Sequence, residues 1–349
     1  MACLSPAASG RSGQVRRPGA SLEHVFVLLG VRTVHPVSRP ASRLGSVSGD
    51  QREEWIAVVA LLRSAPQKLP LSQLTSRLLD CGSAVQLWNE LTDDALLADP
   101  TAPDPRQQAA AEVDRWGSEG LRLVTVLDED YPLRLRAVHQ APALLFTRGE
   151  VRPEDRAVSV VGSRKASPEG LKRASSIAQS LVAEGFTVLS GLAEGIDTAA
   201  HAAALENGGR TVAVIGTGIQ RQFPAQNREL QETIARRGLL ISQFWPDAPG
   251  ARHTFPLRNA TMSGYGMATV IVEAGEKSGA RIQARVAVEH GRPVILTDMV
   301  VARNQWAAEL IGRPGVHQAR TLSDVMRTIC AIDEEQSQAR AALRNLLHT

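Results

Sequence analysis

The strongest constraint on this chain is an alternation between residues 157 and 296. Six short, apolar, β-branched segments (157–161, 187–190, 211–215, 239–242, 268–272 and 293–296) are separated by five segments of helical spacing (168–184, 197–207, 227–237, 257–265 and 279–290). Strands that are apolar at nearly every position are buried on both faces. Alternation of this kind implies an α/β fold, a Rossmann-like parallel sheet with helices on both faces. Ligands of such sheets bind beyond the carboxyl ends of the strands, where the strand order reverses.

The flanks read differently. Residues 52–64, 71–79 and 83–91, with a further helix at 108–117, predict a small helical domain over 50–118. Residues 97–110 carry prolines and read as loop-like. From 119 to 330 the chain reads as the α/β domain, opening with strands near 121–126 and 142–150, and 331–349 as a short helical tail. Residues 1–48 are rich in Arg, Ser, Pro and Gly, with Glu23 their only acid. They read either as a disordered basic tail or as an over-extended start. The apolar segment 24–31 follows Arg16 and Arg17, but Arg32 interrupts it and no small-residue cleavage site follows, so no signal peptide is expected.

Composition excludes more than it assigns. The formal net charge is only +3, so any polyanion site must arise from local charge. The basic side is mostly arginine, with lysine only at Lys68, Lys165, Lys172 and Lys277. Cys3, Cys81 and Cys330 have neither disulfide nor zinc spacing, which fits a reducing cytoplasm. No run approaches the roughly 20 apolar residues of a membrane helix.

The chemistry lies at the strand ends. The first ends in Gly162-Ser163-Arg164, followed by Ser167 and Pro168, a capped helix start. Gly162 admits a ligand to the backbone, and Ser163 and Arg164 with the helix N-terminus predict an anion seat. The same tripeptide also suits an ordinary strand–helix turn. The second ends in Ser190-Gly191, with Gly195, Asp197 and His201 following. Asp197 and His201, four apart, suit an acid–base or metal pair. Asp197 is better placed as a helix cap, and with no third ligand evident, no metal is expected. The third ends in Gly216-Thr217-Gly218, whose small residues allow a phosphate or sugar close. No GxGxxG follows the first strand, so a nicotinamide dinucleotide is not supported, and no cofactor is expected. Arg258 and Asn259 open a helix. Arginine there runs against the helix dipole, which hints at function. Glu273 orients either Arg258 or a loop, and Ser278-Gly279 forms a further anion seat.

With these residues in view, the sequence resembles the DNA-processing DprA/Smf family. The matching stretches are GSR at 162–164, SGLAEGIDTAAH at 190–201, GGRTVAVIGTG at 208–218, FPAQNRELQ at 223–231, FPLRN at 255–259 and VEAGEKSGARIQARVAVEHGRPV at 272–294. The segment at 127–149 also resembles the lead into that fold. The resemblance implies an extended Rossmann domain, with residues 50–95 where the family carries a SAM-like domain. It implies a protein without catalytic activity that binds and protects single-stranded DNA, helps load RecA in natural transformation, and forms a homodimer. It assigns DNA contacts to Gly162, Ser163, Arg164, Ser190, Gly191, Arg258 and Asn259, with Ser278 and Gly279. There are departures. Ala260 stands where a second arginine is usual. Ala280-Arg281-Ile282-Gln283-Ala284 replaces small residues and a Thr-Ala pair, and Thr297-Asp298-Met299 replaces Pro-Gly. Arg281 either restores the lost charge or simply faces solvent. The tail after 330 is too short for the winged helix some members carry.

A different function class competes: a nucleotide sensor or phosphoribohydrolase-like enzyme, with Arg258 and Glu273 as its catalytic pair. The segment SGYGMATVIVE at 263–273 lacks the PGGxGTxxE signature of those enzymes. A third class is an interaction scaffold that has lost DNA binding.

Overall fold

The computed structural model describes residues 48–92 and 104–347. The expectations for the basic tail and for segment 24–31 lie outside them, as does the first half of the expected loop at 97–110. Four helices come first: α1 (Gly49–Ser64), α2 (Leu71–Cys81), α3 (Ala84–Thr92) and α4 (Pro105–Ser118). The last begins before the position expected. Asp104 caps it by accepting from Arg106 N at 2.9 Å, and Pro105 takes the first helical position.

The sheet follows: β1 (Arg122–Thr125), α5 (Leu133–Arg136), β2 (Leu144–Gly149), β3 (Ala157–Val161), α6 (Pro168–Ala183), β4 (Thr187–Ser190), α7 (Ile196–Glu206), β5 (Thr211–Val214), α8 (Arg228–Arg237) and β6 (Leu239–Ser242). It continues with α9 (Thr254–Tyr265), β7 (Ala268–Ile271), α10 (Gly279–Glu289), β8 (Val294–Thr297), α11 (Asp298–Arg303), α12 (Gln305–Leu310), β9 (Val316–Ala319) and α13 (Leu322–Leu347). Its nine strands run in the order β1-β2-β6-β5-β4-β3-β7-β8-β9. All adjacent pairs from β6 to β9 are parallel, whereas β1 and β2 are antiparallel additions at one edge. Strands β3 to β6 build outward in one direction and β7 to β9 in the other. The order therefore reverses between β3 and β7, and the crevice beyond their carboxyl ends is where such a sheet receives a ligand.

Alternation sends neighbouring residues of a strand to opposite faces. Val158, Val160, Val188 and Val270 join a core with Ile177 and Leu181 of α6, Ala200 of α7 and Ile329 of α13. Ala157 and Val161 belong to the other core, which holds Met262 and Tyr265 of α9 and runs on into the first helices. There Trp116 of α4 meets Phe146 of β2 edge-on at 5.0 Å and stacks on Trp245 at 5.8 Å. Arg63 of α1 lies 3.7 Å over the Trp245 ring. These aromatic contacts join the helical layer to the antiparallel edge. At the far edge β9 pairs with β8, and α13 packs against α6 and β9. Neither β9 nor α11 and α12 was expected, because segments this short carry too few residues to establish a period. Among the described residues no helix is long and apolar enough to cross a membrane.

Candidate nucleic-acid interface

A cavity of about 660 Å³ opens at the reversal point. Val161, Gly162, Ser163 and Arg164 reach it from the end of β3, Arg258, Asn259 and Met262 from α9, and Lys277, Ser278 and Gly279 from the start of α10. Seven of the expected DNA-contact residues thus share one space, and Asp197 lines it with them. Lys165, Phe255, Ala280 and Gln283 also line it and were not singled out from the sequence. Two of them carried a signal. Lys165 and Lys277 are half of the chain's four lysines, and Gln283 lies four residues after Gly279, on the same helical face.

The first anion seat is already filled. Ser167 caps α6 as expected, its Oγ accepting from Gly170 N at 3.1 Å. Glu273 occupies that helix end. Its carboxylate accepts from Ser167 N at 3.1 Å and from Ser167 Oγ at 2.7 Å. A helix N-terminus favours a carboxylate as readily as a phosphate. The Glu273 carbonyl accepts from Ser163 N at 2.7 Å, so this N–H is also spent. Of the two roles open to Glu273, the structure selects the loop. Gly162 serves the same packing, since a Cβ there would lie 2.6 Å from the Glu273 carbonyl oxygen. A helix start that does line the cavity is that of α10, where Ser278 Oγ accepts from Ala280 N at 3.1 Å. Its hydroxyl proton has no acceptor among the described residues.

Arg258 is not at a helix start. Helix α9 begins at Thr254, which puts Arg258 in its second turn and removes the expected conflict with the dipole. Its side chain is buried beneath the strand ends. Nη1 donates to the Gly191 carbonyl and, at 2.9 Å, to the Val214 carbonyl. A Cβ at Gly191 would overlap the guanidinium, so this glycine makes room for arginine rather than for a ligand. Burial lowers the pKa of Arg258, and the nearby Asp197 carboxylate opposes that shift. Asp197 is not the helix cap expected of it. Gly195 holds that position at φ 77°, and the Asp197 carboxylate instead accepts from Gly191 N at 3.0 Å and Ala193 N at 3.4 Å. Gly195 has no alternative, because a Cβ would overlap the Ser163 carbonyl oxygen.

The other expected residues lie elsewhere. Ser190 is fully buried and its hydroxyl donates to the Val160 carbonyl at 2.7 Å, tying β4 to β3. Gly218 packs against the carbonyls of Trp245 and Pro246. Gly216 lines a smaller neighbouring cavity of about 120 Å³ with Gly191, Phe223 and Phe255. His201 makes no hydrogen bond to Asp197. It contacts Thr211 Oγ1 at 2.7 Å, and that hydroxyl donates to the Val188 carbonyl, so His201 Nδ1–H must be the donor. Burial holds its pKa down to about 3. Among the described residues no group of three His, Cys, Asp or Glu side chains could hold a metal ion.

The electrostatics of the cavity follow from what is spent and what is free. Arg258 and Asp197 face each other as a buried pair. Arg164, Lys165 and Lys277 are exposed at the rim and make no ion pair among the described residues. Arg164 rests 5.3 Å from the Phe255 ring centre, and Phe255 lies 5.8 Å from Phe223, which is 46% exposed.

Residues 122–328 match the family model described as DNA recombination-mediator protein A. The chain belongs to that family, DprA/Smf. It is 41% identical over 174 residues to DNA processing protein DprA of Streptococcus pneumoniae, a match covering 49% of this chain and 60% of that one. It is 39% identical over 178 residues to protein Smf of Synechocystis, covering 50% and 45%. The matches thus span about half to three fifths of these curated relatives. Among solved structures, DprA of S. pneumoniae superposes with a TM-score of 0.55 at 28% identity, covering 80% of this chain and 93% of that one. DprA of Helicobacter pylori, described for its unique single-stranded DNA binding mode, superposes with a TM-score of 0.54 at 21% identity, covering 60% and 96%. These likenesses support the Rossmann-like fold and a role in DNA processing for the family.

Proposed function

We propose that this chain binds single-stranded DNA through the cavity at the β3–β7 reversal, without catalysing a reaction on it. The observation that carries the reading is the rim. Three exposed cations, Arg164, Lys165 and Lys277, stand beside the capped start of α10 with no acidic ion-pair partner among the described residues. Unpaired cations around a groove attract a polyanion even when the net charge is small. The exposed ring of Phe223 beside them suits stacking of a base, which strengthens single-strand binding without sequence readout. The family relation extends the proposal to protection of DNA, loading of RecA and self-association as a homodimer. The catalytic alternative loses its pair, since Arg258 and Glu273 are each engaged with backbone elsewhere.

The test is an anisotropy titration of labelled oligo-dT across salt concentrations. Affinity falls with salt along a log–log line, and neutralising each phosphate-contacting cation flattens the slope by about 0.7. Binding that ignores salt, or an Arg164→Ala, Lys277→Ala double variant that binds like the parent, overturns the proposal.

A further inference from the structure

Gly216-Thr217-Gly218 has the small residues of a phosphate seat, yet neither glycine lines the main cavity. Both are packed against protein. A Cβ at Gly218 would lie 2.2 Å from the Trp245 carbonyl oxygen and 2.3 Å from that of Pro246. A Cβ at Gly216 would lie 2.7 Å from the Phe255 ring. Backbone bonds fix the same loop, with Gly218 N donating to the Ala248 carbonyl at 2.8 Å and Gln220 N to the Pro246 carbonyl at 2.9 Å. Thr254 Oγ1 donates to the Gly216 carbonyl at 2.6 Å and so ties the start of α9 to the loop. The 216–221 loop therefore bridges residues 245–248 and Phe255. That ring lines both cavities and has the Arg164 guanidinium 5.3 Å from its centre. Where it lies helps to set where a rim cation lies.

The far side of this bridge is held by the helical layer. Trp245 is flanked by Trp116 of α4, by Phe146 of β2 at 6.1 Å and by Arg63 of α1. Gln220 Nε2 donates to the carboxylate of Glu119, the residue that ends α4, at 2.6 Å. Arg63, Trp116, Glu119 and Trp245 line neither cavity, so they act on the site only through the loop. An aromatic pair or a cation over a ring biases an equilibrium by roughly two- to tenfold. Several together are enough to hold a surface loop in one arrangement.

We infer that the helical layer positions the rim of the cavity: by holding Trp245 and Gln220 it fixes the 216–221 loop, and through that loop Phe255 and Arg164. Its effect on affinity rests on the single-stranded DNA reading, whereas the loop geometry it fixes does not. Trp245 and Gln220 are positioning residues, and the glycines of 216–218 are seats for protein rather than for phosphate.

The experiment uses the full chain with two readouts, backbone amide exchange without DNA and oligo-dT anisotropy across salt. Trp245→Leu should speed exchange at Gly218 about tenfold, the scale of one lost aromatic pair, while the amides of β3 and β7 exchange as in the parent. It should weaken oligo-dT binding severalfold at the parent's salt slope, because every rim cation remains. Trp245→Phe, which keeps a ring, should recover most of both. Gln220→Leu, at an exposed position, should show the same pattern more weakly, and it serves if Trp245→Leu does not fold. Parent-like exchange at Gly218 in the leucine variants overturns the inference. So does faster exchange spread evenly over the sheet, which marks a merely structural role, or a loosened loop with undiminished affinity. Failure of the parent to bind oligo-dT at low salt is the separate failure of the DNA reading, and the exchange result then decides by itself whether the helical layer fixes the loop.

Discussion

The carboxylate of Glu273 sits on the N-terminus of α6, accepting from both the backbone N–H and the hydroxyl of Ser167. The protein thus fills with its own anion a position the sequence offered to a phosphate. In the proposed reading, ligand charge is met instead at the rim and at the start of α10.

Glu273→Gln keeps the size of the side chain but weakens charge-assisted bonds to Ser167. The expected loss is about 1–2 kcal/mol, read by urea denaturation. Oligonucleotide affinity should be retained, since this carboxylate binds protein. A variant as stable as the parent would show that the charge contributes nothing there.

Gly191→Ala places a methyl group on the Arg258 guanidinium. Overpacking of this kind costs about 1–3 kcal/mol, so a loss of about 2 kcal/mol or more is expected. Gly275→Ala is the control, since nothing lies within 4 Å of its added Cβ. It should stay within about 0.5 kcal/mol. Denaturation midpoints of the two variants decide the matter.

Arg164→Ala and Lys277→Ala should each weaken oligo-dT binding, and each should lower the salt slope by about 0.7. Their effects should add, because they come from different strand ends. Arg281 is exposed on the first turn of α10 and lies outside the lining. Arg281→Ala should leave the slope nearer the parent's than either rim variant does.

Stability should fall as the pH drops below about 6.5. Burial holds His201 down to about 3 and His290 to about 4, against about 6.5 in an unfolded chain. The unfolded state therefore binds protons first, and stability present above pH 6.5 is lost toward these lower values. Each such proton contributes about 1.4 kcal/mol per pH unit within the window. His201→Asn, whose amide replaces the Nδ1–H donor, should show a shallower decline between pH 6.5 and 5. An unchanged slope would mean that His201 titrates normally.

Much of the fold was legible because its signals are local. The strands β3, β4 and β6 coincide with the expected segments, and Ser167 and Ser278 cap α6 and α10 as their positions before helical runs imply. The glycines and serines at 162–163 and 278–279 marked the mouth of the cavity for the same reason: small residues after a strand report a turn that something can approach. Asp197 went otherwise, because a residue at a helix start is free to bond the preceding loop instead of capping.

The sequence alone determined the α/β alternation, the family and the strand ends at which the cavity opens, since periodicity and motif spacing are properties of neighbouring residues. Only the tertiary structure decided which polar groups remain free there. Glu273 reaches Ser167 across 106 positions of chain, and Arg258 reaches Gly191 across 67. No local pattern encodes such partners. A polar group is available to a ligand only when the packed fold has given it no closer partner, and that is what separates Arg164 and Lys277 from Glu273, Ser190 and Arg258.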